Sequence, residues 1–553
     1  MQQHSLQVPA GDGGLDARAP RVTEFDVVVA GAGHNSLITA AYLARAGMRV
    51  LVLERAARIG GDTSTEEVTL PGFRHDLCAS AHTIFQSSPI VRNDELELGR
   101  YGLRYLFPDP VVVMPFLDGP GITMHRDRAA TVRDIARHSP NDARAYERML
   151  DDWDLIKDSQ NRARYSPAAG PSDAIAALEA TPAGVETVRW RYSSALDTVR
   201  ERFENERVRT FFLWLSLMTM ARVDQPGTGL LPLSIAAGRQ AFSWTTAEGG
   251  SVALPDALAR IVVERGGAVR TGAEVTRILI EHGRAVGAVT SDGAEYRARR
   301  AVVSTIHVKH LPAVVGGAAL GEDFVRGLAR WRTGVTMFVT HYALAAEPRY
   351  RLDGGPTSSV AAGICGSTEE LLAALAAFER GDIHLDRPPL LCISSSVVDA
   401  TRAPAGRHTL KIVGFLPYEL RSGGPERWDT VKDDVSGALL EQYLRHTSGL
   451  TERDILARHI ESPLDLERRN PHNYRGSCHG GEQDLAQEGA LRPMPGWAGY
   501  RLPVAGLYQT GATTHPGASV TGAPGRNCAQ VLLEDLGIHF ADAVAGRATS
   551  SRS

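Results

Sequence analysis

The feature that most constrains this chain is a strand–turn–helix–strand unit near the N-terminus that ends in an acidic residue. Residues 25–30 form a short apolar run rich in valine, which is typical of a parallel strand buried on both faces. Residues 31–33 are Gly-Ala-Gly and turn the chain, and alanines and leucines then recur at helical spacing over 37–46. A second buried strand over 49–53 ends in Glu54. The pattern therefore predicts a βαβ unit of a parallel sheet.

The glycines of this unit have separable roles. Gly31 permits a tight turn, and Gly33 lets a pyrophosphate approach the backbone where the helix N-terminus presents unpaired N–H groups. Glu54 lies 21 residues after Gly33, close to the spacing at which an acid accepts hydrogen bonds from the adenosine ribose. Ser36 replaces the third glycine of the fingerprint, for which we expect a slight shift of the helix. An isolated glycine turn would fit any strand–turn–helix unit, but the agreement of all five parts favours a dinucleotide site.

Residues 54–64 discriminate between the two common dinucleotides. Glu54 is followed by Arg-x-Gly-Gly, in which Gly60 and Gly61 free the backbone to pass close to a cofactor and Arg58 can face its phosphates. The alternative is a surface turn with an unrelated arginine. Because the glycine doublet directly follows the fingerprint, the layout favours FAD bound in an extended form over NAD.

A second glycine-rich unit closes the chain. Residues 506–533 begin as a strand, pass through a glycine-rich loop and enter a helix around Gly525 that continues through Leu533. Glycines before a helix N-terminus indicate backbone in contact with a flat or charged group, and the positive helix end favours negative charge on a reduced flavin. The alternative is a merely flexible loop, but such loops rarely lead directly into an apolar helix. We therefore expect the loop over 511–525 to lie against the flavin.

Several motifs together resemble one enzyme family, the phytoene desaturases (carotenoid oxidoreductases). The motifs are GAGHNSL at 31–37, ERAARIGG at 54–61, WTTAEGGSVALPDAL at 244–258 and GATTHPGASVTGAPGRN at 511–527. Residues 462–470 and 492–495 are in addition similar to the branch of pyridine nucleotide-disulfide oxidoreductase domain-containing protein 2. The resemblance extends over about 25–537, nearly the whole chain.

The resemblance implies an α/β fold with non-covalently bound FAD. Expected are a two-dinucleotide-binding-type FAD domain, with a central parallel sheet and a β-meander, and an interleaved α+β substrate domain, as in amine oxidases. The implied reaction is removal of hydride from C–C bonds or related centres. No second G-x-G-x-x-G follows a strand, so oxygen or a quinone-like acceptor is expected to take the electrons. Ser36 and Ala518-Ser519 depart from the family's glycines and predict an altered flavin face.

The domains are expected to interleave along the chain. Period-two alternation over 267–303, with turns at 282–283 and 292–293, predicts the meander, and 334–344 predicts a strand of a mixed sheet. The expected boundaries are a disordered tail at 1–24, FAD-binding parts at 25–130, 244–305 and 496–540, substrate-domain parts at 131–243 (helical) and 306–495, and a disordered tail at 541–553.

The predicted cofactor contacts come from the two glycine-rich units and from one strand valine. In related folds the backbone at Val275 contacts the adenine, although an ordinary strand valine fits that position as well. The predicted set is Gly31, Gly33, Ser36, Glu54, Arg55, Arg58, Gly60, Gly61, Asp62, Thr63, Val275, Gly511, Ala512, Gly517, Val520, Gly522 and Gly525.

Histidines are the candidate acid–base residues. His515 lies in the closing glycine-rich loop, and His472 and His479 flank an Asn-Tyr-Arg-Gly turn. A histidine near the flavin could take a proton as hydride leaves the neighbouring carbon, which makes His515 the candidate catalytic residue. Hydride transfer can also rely on positioning alone, with a structural role for this histidine. The dense apolar run over 211–220 could line a pocket or belong to the core.

Composition excludes several other classes. A chain of 553 residues with 43% hydrophobic and 22% charged residues is globular, and its net charge of −4 gives no basic field for nucleic acid. Five cysteines without a C-x-x-C pair predict no metal site and no redox dithiol. With no apolar run of about twenty residues and no signal-like N-terminus, we expect a cytoplasmic protein without a transmembrane segment. A homo-oligomer and peripheral membrane association remain open.

These observations favour an FAD-dependent dehydrogenase or oxidase that acts on a small, largely apolar metabolite. One alternative is a redox-neutral isomerase that uses the same flavin, which would consume no electron acceptor. A second alternative is a binding protein with a vestigial flavin site, for which Ser36 is the supporting feature.

Overall fold

The computed structural model describes residues 24–546, except 169, 171–174 and 177. The strands in chain order are β1 Glu24–Ala30, β2 Val50–Leu53, β3 Thr65–Glu66, β4 His75–Asp76, β5 Tyr105–Leu106, β6 Val112–Phe116, β7 Gly119–Met124, β8 Thr246–Ala247, β9 Ala268–Arg270, β10 Val275–Glu281, β11 Arg284–Thr290, β12 Glu295–Ser304, β13 Phe338–Leu344, β14 Tyr350–Leu352, β15 Gly355–Thr357, β16 Ala361–Ile364, β17 Leu390–Ile393, β18 His408–Gly414, β19 Ile455–Glu461 and β20 Leu507–Gln509. The α-helices are α1 His34–Arg45, α2 Pro89–Arg92, α3 Arg128–Ala136, α4 Pro140–Arg164, α5 Pro182–Tyr192, α6 Ala195–Arg202, α7 Glu206–Leu217, α8 Leu231–Phe242, α9 Ala253–Glu264, α10 Gly317–Leu320, α11 Glu322–Leu328, α12 Thr368–Glu379, α13 Trp428–Arg445, α14 Pro463–Arg469, α15 Ala523–Asp535 and α16 Phe540–Val544.

The first sheet has a parallel centre built around the N-terminal βαβ unit. β1 pairs in parallel with β2 and β12, and β2 pairs in parallel with β9. β20 pairs in parallel with the C-terminal end of β12, which brings the closing glycine-rich loop to the same sheet edge as the first glycine turn. β10, β11 and β12 form an antiparallel meander on one side. The predicted parallel sheet with a β-meander is therefore confirmed.

The second sheet is mostly antiparallel. Its strand order is β19-β13-β18-β17-β16-β6-β7, in which β6 and β16 are the parallel pair. Every residue of β13 is buried, because hydrophobic clusters cover both faces of this strand. The hairpin over 112–124 belongs to this sheet, although it falls within the part predicted as 25–130 of the FAD domain. The domain boundaries therefore remain a prediction.

The chain segment between β7 and β8 is helical, as the sequence pattern predicts. Helices α3 to α8 lie between residues 128 and 242, and α7 is buried along most of its length. The indole of Trp214 on α7 donates a hydrogen bond to the carbonyl of Leu390 on β17, at 2.8 Å. This contact fixes the helical layer against the second sheet. Among the described helices, none combines the length and the apolar composition needed to span a bilayer.

Helix α15 packs closely against α1 and is anchored by a buried ion pair. The Arg526 guanidinium donates to both carboxylate oxygens of Glu95, at 2.8 and 2.9 Å, and the Tyr42 hydroxyl donates to the same carboxylate. A Cβ atom on Gly525 would lie 2.3 Å from the carbonyl oxygen of Asn35, so only glycine allows the two helices to approach this closely.

The C-terminal end of the described chain packs on the same helix. The ring of Phe540 lies 5.0 Å from that of Tyr42, and Arg45 donates to the carbonyl of Val544 at 2.8 Å. Residues 541–546 of the predicted disordered tail are thus ordered, because α16 buries an apolar face on α1. Residues 1–23 and 547–553 lie outside the described residues.

We expect Gly525→Ala to destabilise the protein and Gly437→Ala, in the middle of α13, to leave it unchanged or more stable. The added methyl at Gly525 meets backbone at 2.3 Å, which should cost about 1–3 kcal/mol of overpacking. A Cβ at Gly437 meets nothing within 4 Å, and alanine is favoured over glycine in a helix by roughly 0.5–1 kcal/mol. Thermal and denaturant melts of the two variants measure the difference. Equal melting of both variants would show that α15 does not need this contact.

Candidate cofactor and active site

The first glycine turn brings three segments together at the end of the parallel sheet. Gly31 has a φ of +101°, and a Cβ atom on it would lie 2.1 Å from the hydroxyl of Thr305. Thr305 follows β12, and both its N–H and its hydroxyl donate to the carbonyl of Ala30, at 2.9 and 3.0 Å. Gly31 therefore permits both the turn and the close approach of β12.

Gly33 has a different environment. Its φ is −71°, which any residue can adopt, and a Cβ built on it meets no described protein atom within 4 Å. It caps the N-terminus of α1, where no described side chain accepts from the first-turn N–H groups. Ser36, in place of the third glycine, donates to the carbonyl of Gly33 at 2.9 Å and is fully buried. The helix N-terminus thus keeps free donors beside an open space.

Two polar side chains at this helix end have unpaired buried atoms. Nε2 of His34 and Oδ1 of Asn35 have no hydrogen-bond partner among the described residues. Burial, reinforced by the neighbouring His82, lowers the pKa of His34 to about 4, so this imidazole is neutral at pH 7. Unpaired buried polar atoms in residues that line a cavity are consistent with a polar ligand group nearby.

The acid and the glycine doublet lie next to the turn. Glu54 accepts from the N–H groups of Ala32 and Ala56, at 2.7 and 2.8 Å. Gly60 and Gly61 both have positive φ, +118° and +56°, and the N–H of Gly60 donates to the carbonyl of Ala32 at 2.9 Å. The predicted fingerprint and the doublet therefore form one continuous surface, although they are more than twenty residues apart in sequence.

These features line a cavity of about 440 Å³. Most predicted cofactor contacts line it, namely Gly31, Gly33, Ser36, Glu54, Arg55, Gly60, Gly61, Asp62, Thr63, Val275, Gly511, Ala512 and Val520. Arg58, Gly517, Gly522 and Gly525 are not among the lining residues.

The glycines outside the cavity lining serve helix and loop packing. A Cβ on Gly522 would lie 2.8 Å from the ring of Phe85, and Gly525 contacts α1 as described above. Gly517 lies against Arg492, and Arg58 is exposed. This geometry does not support the predicted cofactor contacts at these four positions. A glycine before a helix signals a close approach, but the approaching group here is protein rather than ligand.

His515 also lies outside the cavity lining. The Nε2 of His515 donates to the carbonyl of Ala163 on α4 at 3.0 Å. The backbone carbonyl of His515 accepts from the hydroxyl of Tyr500 at 2.6 Å. Burial lowers the pKa of His515, which keeps the ring neutral. These contacts tie the closing loop to the helical insertion, and they do not support the predicted catalytic role.

A second part of the cavity lining, called the apolar wall below, comes from distant segments. It carries side chains of the second sheet, of the loop before β13 and of the loops after α7 and α8, namely Met218, Met220, Trp244, Met337, Leu391, Ile393 and Val413. Of these residues, the apolar run over 211–220 indicated Met218 and Met220 as possible pocket residues. The strand residues carried no signal, because alternating buried positions read as core wherever they occur.

Lys411 on β18 is a polar residue that connects this wall to the segment over 76–80. Its ammonium donates to the carbonyls of Asp76 and Cys78, at 3.2 and 2.6 Å, and to the hydroxyl of Ser80 at 2.6 Å. Burial lowers the pKa of Lys411. All three of its protons are used, so Lys411 holds the segment over 76–80 against the second sheet.

The histidines predicted near the active site line the cavity and are neutral. His472 donates from Nδ1 to the carbonyl of Thr305 at 2.8 Å, and burial lowers its pKa. Burial likewise lowers the pKa of His479 to about 4, and the Gln483 amide donates to its Nδ1 at 3.0 Å. Within the described residues, no group of three or more histidines, cysteines or acids is placed to hold a metal ion.

The site therefore fits an extended dinucleotide. Free N–H groups of α1 face an open space in front of Gly33, where a side chain of any other residue would project. His34 and Asn35 line the same space, and Glu54 lies at the end of β2. The closing loop contributes Gly511 and Ala512 to the lining.

Several known proteins have sequences that align with nearly the whole chain. A family model for the NAD(P)-binding Rossmann-like domain matches residues 29–93. Pyridine nucleotide-disulfide oxidoreductase domain-containing protein 2 of Mus musculus is 29% identical over 93% of this chain and 94% of its own length. A limonene dehydrogenase component of Castellaniella defragrans is 27% identical over 94% and 96%. A neurosporene-forming phytoene desaturase of Cereibacter sphaeroides is 25% identical over 90% and 92%.

Solved structures of amine oxidases share the fold. A putrescine oxidase variant aligns with a TM-score of 0.59 at 14% identity, over 94% of this chain and 99% of its own. Cyclohexylamine oxidase from Brevibacterium oxydans aligns with a TM-score of 0.55 at 16% identity, over 93% and 100%. These likenesses confirm the predicted α/β, amine-oxidase-like fold. In sequence, the chain is similar over nearly its whole length to pyridine nucleotide-disulfide oxidoreductase domain-containing protein 2, to limonene dehydrogenase and to phytoene desaturase.

Proposed function

We propose that this enzyme removes a hydride from a largely apolar organic metabolite and passes the electrons to oxygen or a quinone-like acceptor. The observation that carries the proposal is the two-sided cavity. One side offers glycine turns and a free helix N-terminus, and the other offers methionine, leucine, isoleucine and valine side chains. One of the relatives is named for limonene, a hydrocarbon, which supports an apolar substrate.

The residues proposed to hold FAD are those predicted contacts that line the cavity. Free N–H groups at the start of α1 would receive the pyrophosphate, and Glu54 would exchange a backbone partner for the ribose hydroxyls. Bound FAD would supply the electron acceptor for the hydride, which side chains alone do not provide. The apolar wall would orient the substrate carbon and exclude water from the reacting atoms.

The acceptor and the mode of attachment follow from two further observations. One dinucleotide fingerprint is present in the sequence, and no second one follows a strand, so a nicotinamide nucleotide is not the proposed electron partner. The thiols of Cys78 and Cys478 line the cavity, and a hydrogen bond with Cys478, together with burial, raises the pKa of Cys78 well above its usual range. The thiolate needed for a covalent bond is thereby disfavoured, so we propose non-covalent FAD.

Gly33→Val is expected to abolish FAD retention without destabilising the apoprotein. The valine side chain would project into the open space in front of α1, where no described protein atom lies within 4 Å, and would block the pyrophosphate. Flavin content after purification and melting of the apoprotein measure the two effects. Gly31→Ala is the contrasting control, because its Cβ meets Thr305 at 2.1 Å and should destabilise the protein itself. Full flavin occupancy in Gly33→Val would place the cofactor elsewhere.

Acid precipitation of the purified protein is expected to leave all flavin in the supernatant. Non-covalent FAD is released when the fold is lost, whereas a thioether to Cys78 or Cys478 would survive. Absorbance of the supernatant and mass spectrometry of the pellet measure the outcome. A pellet that carries the mass of a flavin would contradict this proposal.

Anaerobic mixing with an apolar substrate is expected to bleach the flavin band, whereas NADH and NADPH leave it unchanged. The panel should include limonene, after which one relative is named. Stopped-flow absorbance measures the reductive step, and admission of oxygen or a quinone then tests the acceptor. Rapid bleaching by NADH, or product formation without consumption of an acceptor, would contradict the proposed reaction.

A further inference from the structure

Arg239 places an unbalanced positive charge in the wall of the cavity. It lies on α8, in the helical insertion, and lines the cavity together with Met218, Met220 and Trp244. Its guanidinium carbon stands 3.6 Å from the centre of the Trp244 ring, so the group is stacked flat on the indole. Its Nη1 donates to the hydroxyl of Thr83. The stack and this bond fix the direction of the guanidinium fork.

No carboxylate of the described residues neutralises this arginine. Within that part of the chain, Arg239 forms no ion pair, and the Thr83 hydroxyl is its sole side-chain hydrogen-bond partner. Arg402 and Arg526 are paired with carboxylates, Asp76 at 2.5 Å and Glu95 at 2.8 Å, and the buried Arg492 donates to four backbone carbonyls instead. The remaining donors of the Arg239 fork are thus free beside the cavity.

Burial without a partner is costly for this group. Burial lowers the pKa of Arg239 to about 9, because the charge loses water and gains no anion in return. At neutral pH the guanidinium is still protonated. An anion bound to the free fork would offset the lost hydration through charge-assisted, bidentate hydrogen bonds.

The charges around Arg239 do not supply that anion from the described protein. Lys411, the other cation deep in the cavity, donates all its protons to neutral oxygens. The lining has three acids: Glu54 accepts from backbone N–H groups, Asp62 accepts from two asparagine amides, and Glu274, directly before β10, forms no ion pair with Arg239. Among the residues that the structure describes, the apolar wall therefore carries net positive charge with no built-in counter-ion.

We propose that the substrate carries a carboxylate that binds the Arg239 fork, while its hydrocarbon part lies on the apolar wall. The inference rests on the proposed function and narrows its substrate class from apolar metabolites to apolar acids. A planar carboxylate matches the guanidinium fork in two parallel hydrogen bonds, and stacking on Trp244 keeps the fork in place. An uncharged analogue would leave the buried guanidinium unpaired, which gives strong discrimination.

The test uses binding to the FAD-loaded enzyme, so it requires no turnover. The probes are two matched pairs, 4-phenylbutyrate with 4-phenylbutan-1-ol and octanoate with octan-1-ol, titrated by calorimetry and by perturbation of the flavin spectrum. We expect each acid to bind at least about ten-fold more tightly than its alcohol, which corresponds to about 1.4 kcal/mol. Arg239→Gln should abolish this preference, and Arg239→Lys should keep part of it because the charge remains.

Arg126→Gln is the matched control. Arg126 also stacks on an aromatic ring, that of Phe107, but it is exposed and outside the cavity lining. This variant should keep the full preference for acids. Equal affinity of acid and alcohol for the wild-type enzyme, no binding of either acid, or an unchanged preference in Arg239→Gln would overturn the proposal.

Two further outcomes distinguish a failure of the carboxylate proposal from a failure of the proposed hydride removal. If Arg239→Gln and Arg239→Lys melt normally but lose FAD, the arginine serves the cofactor, and the proposed substrate role is wrong. If limonene or another uncharged hydrocarbon bleaches the flavin equally well in wild type and Arg239→Gln, the proposed hydride removal stands and the carboxylate requirement fails. Bleaching by an acid in the wild type, and its loss in Arg239→Gln with FAD retained, supports both.

Discussion

The contact between Gly31 and Thr305 is the constraint on which the site depends. The end of β12 closes on the end of β1 at a position with positive φ and no Cβ, since such an atom would lie 2.1 Å from the Thr305 hydroxyl. Thr305 then bonds Ala30 through both its N–H and its hydroxyl, and its carbonyl accepts from His472. One glycine thus joins the first turn, the end of the meander and the loop at 472.

The part of the site that could be predicted from sequence is the part encoded within a few consecutive elements. Gly31, Gly33 and Glu54 fall within one βαβ unit, whose spacing fixes their relation before any tertiary contact forms. Lys411 could not be found in this way. It meets Cys78 across more than 300 residues, and its role exists only once the second sheet docks on the first. The apolar wall could not be predicted from sequence either, because its strand residues have the same pattern as those of any sheet core.

The closing loop shows that one sequence signal can have two physical causes. The glycines of GATTHPGASVTGAPGRN do mark close approaches, but Gly525 makes room for the backbone of Asn35 and Gly522 makes room for Phe85. Likewise, β13 lacks the alternation expected of a half-exposed strand, because both of its faces are covered. In both cases the local pattern gives the element correctly. What it lacks is the identity of the neighbour, which depends on how distant segments pack.

Several ionisable groups that line the cavity are either uncharged or fully hydrogen-bonded. His34, His472 and His479 are neutral because burial lowers the pKa of each, and the protons of Lys411 are fixed on neutral oxygens. Burial thus disfavours the protonated form of the three imidazoles, and no proton of Lys411 is free for transfer. The wall offers orientation and a dry surface for the proposed hydride transfer. Arg239 differs from these groups because its guanidinium is charged at neutral pH and has free donors. A charge that is retained where its neighbours are neutral has a use in orientation, because it can fix one end of a flexible apolar molecule and so decide which carbon faces the acceptor.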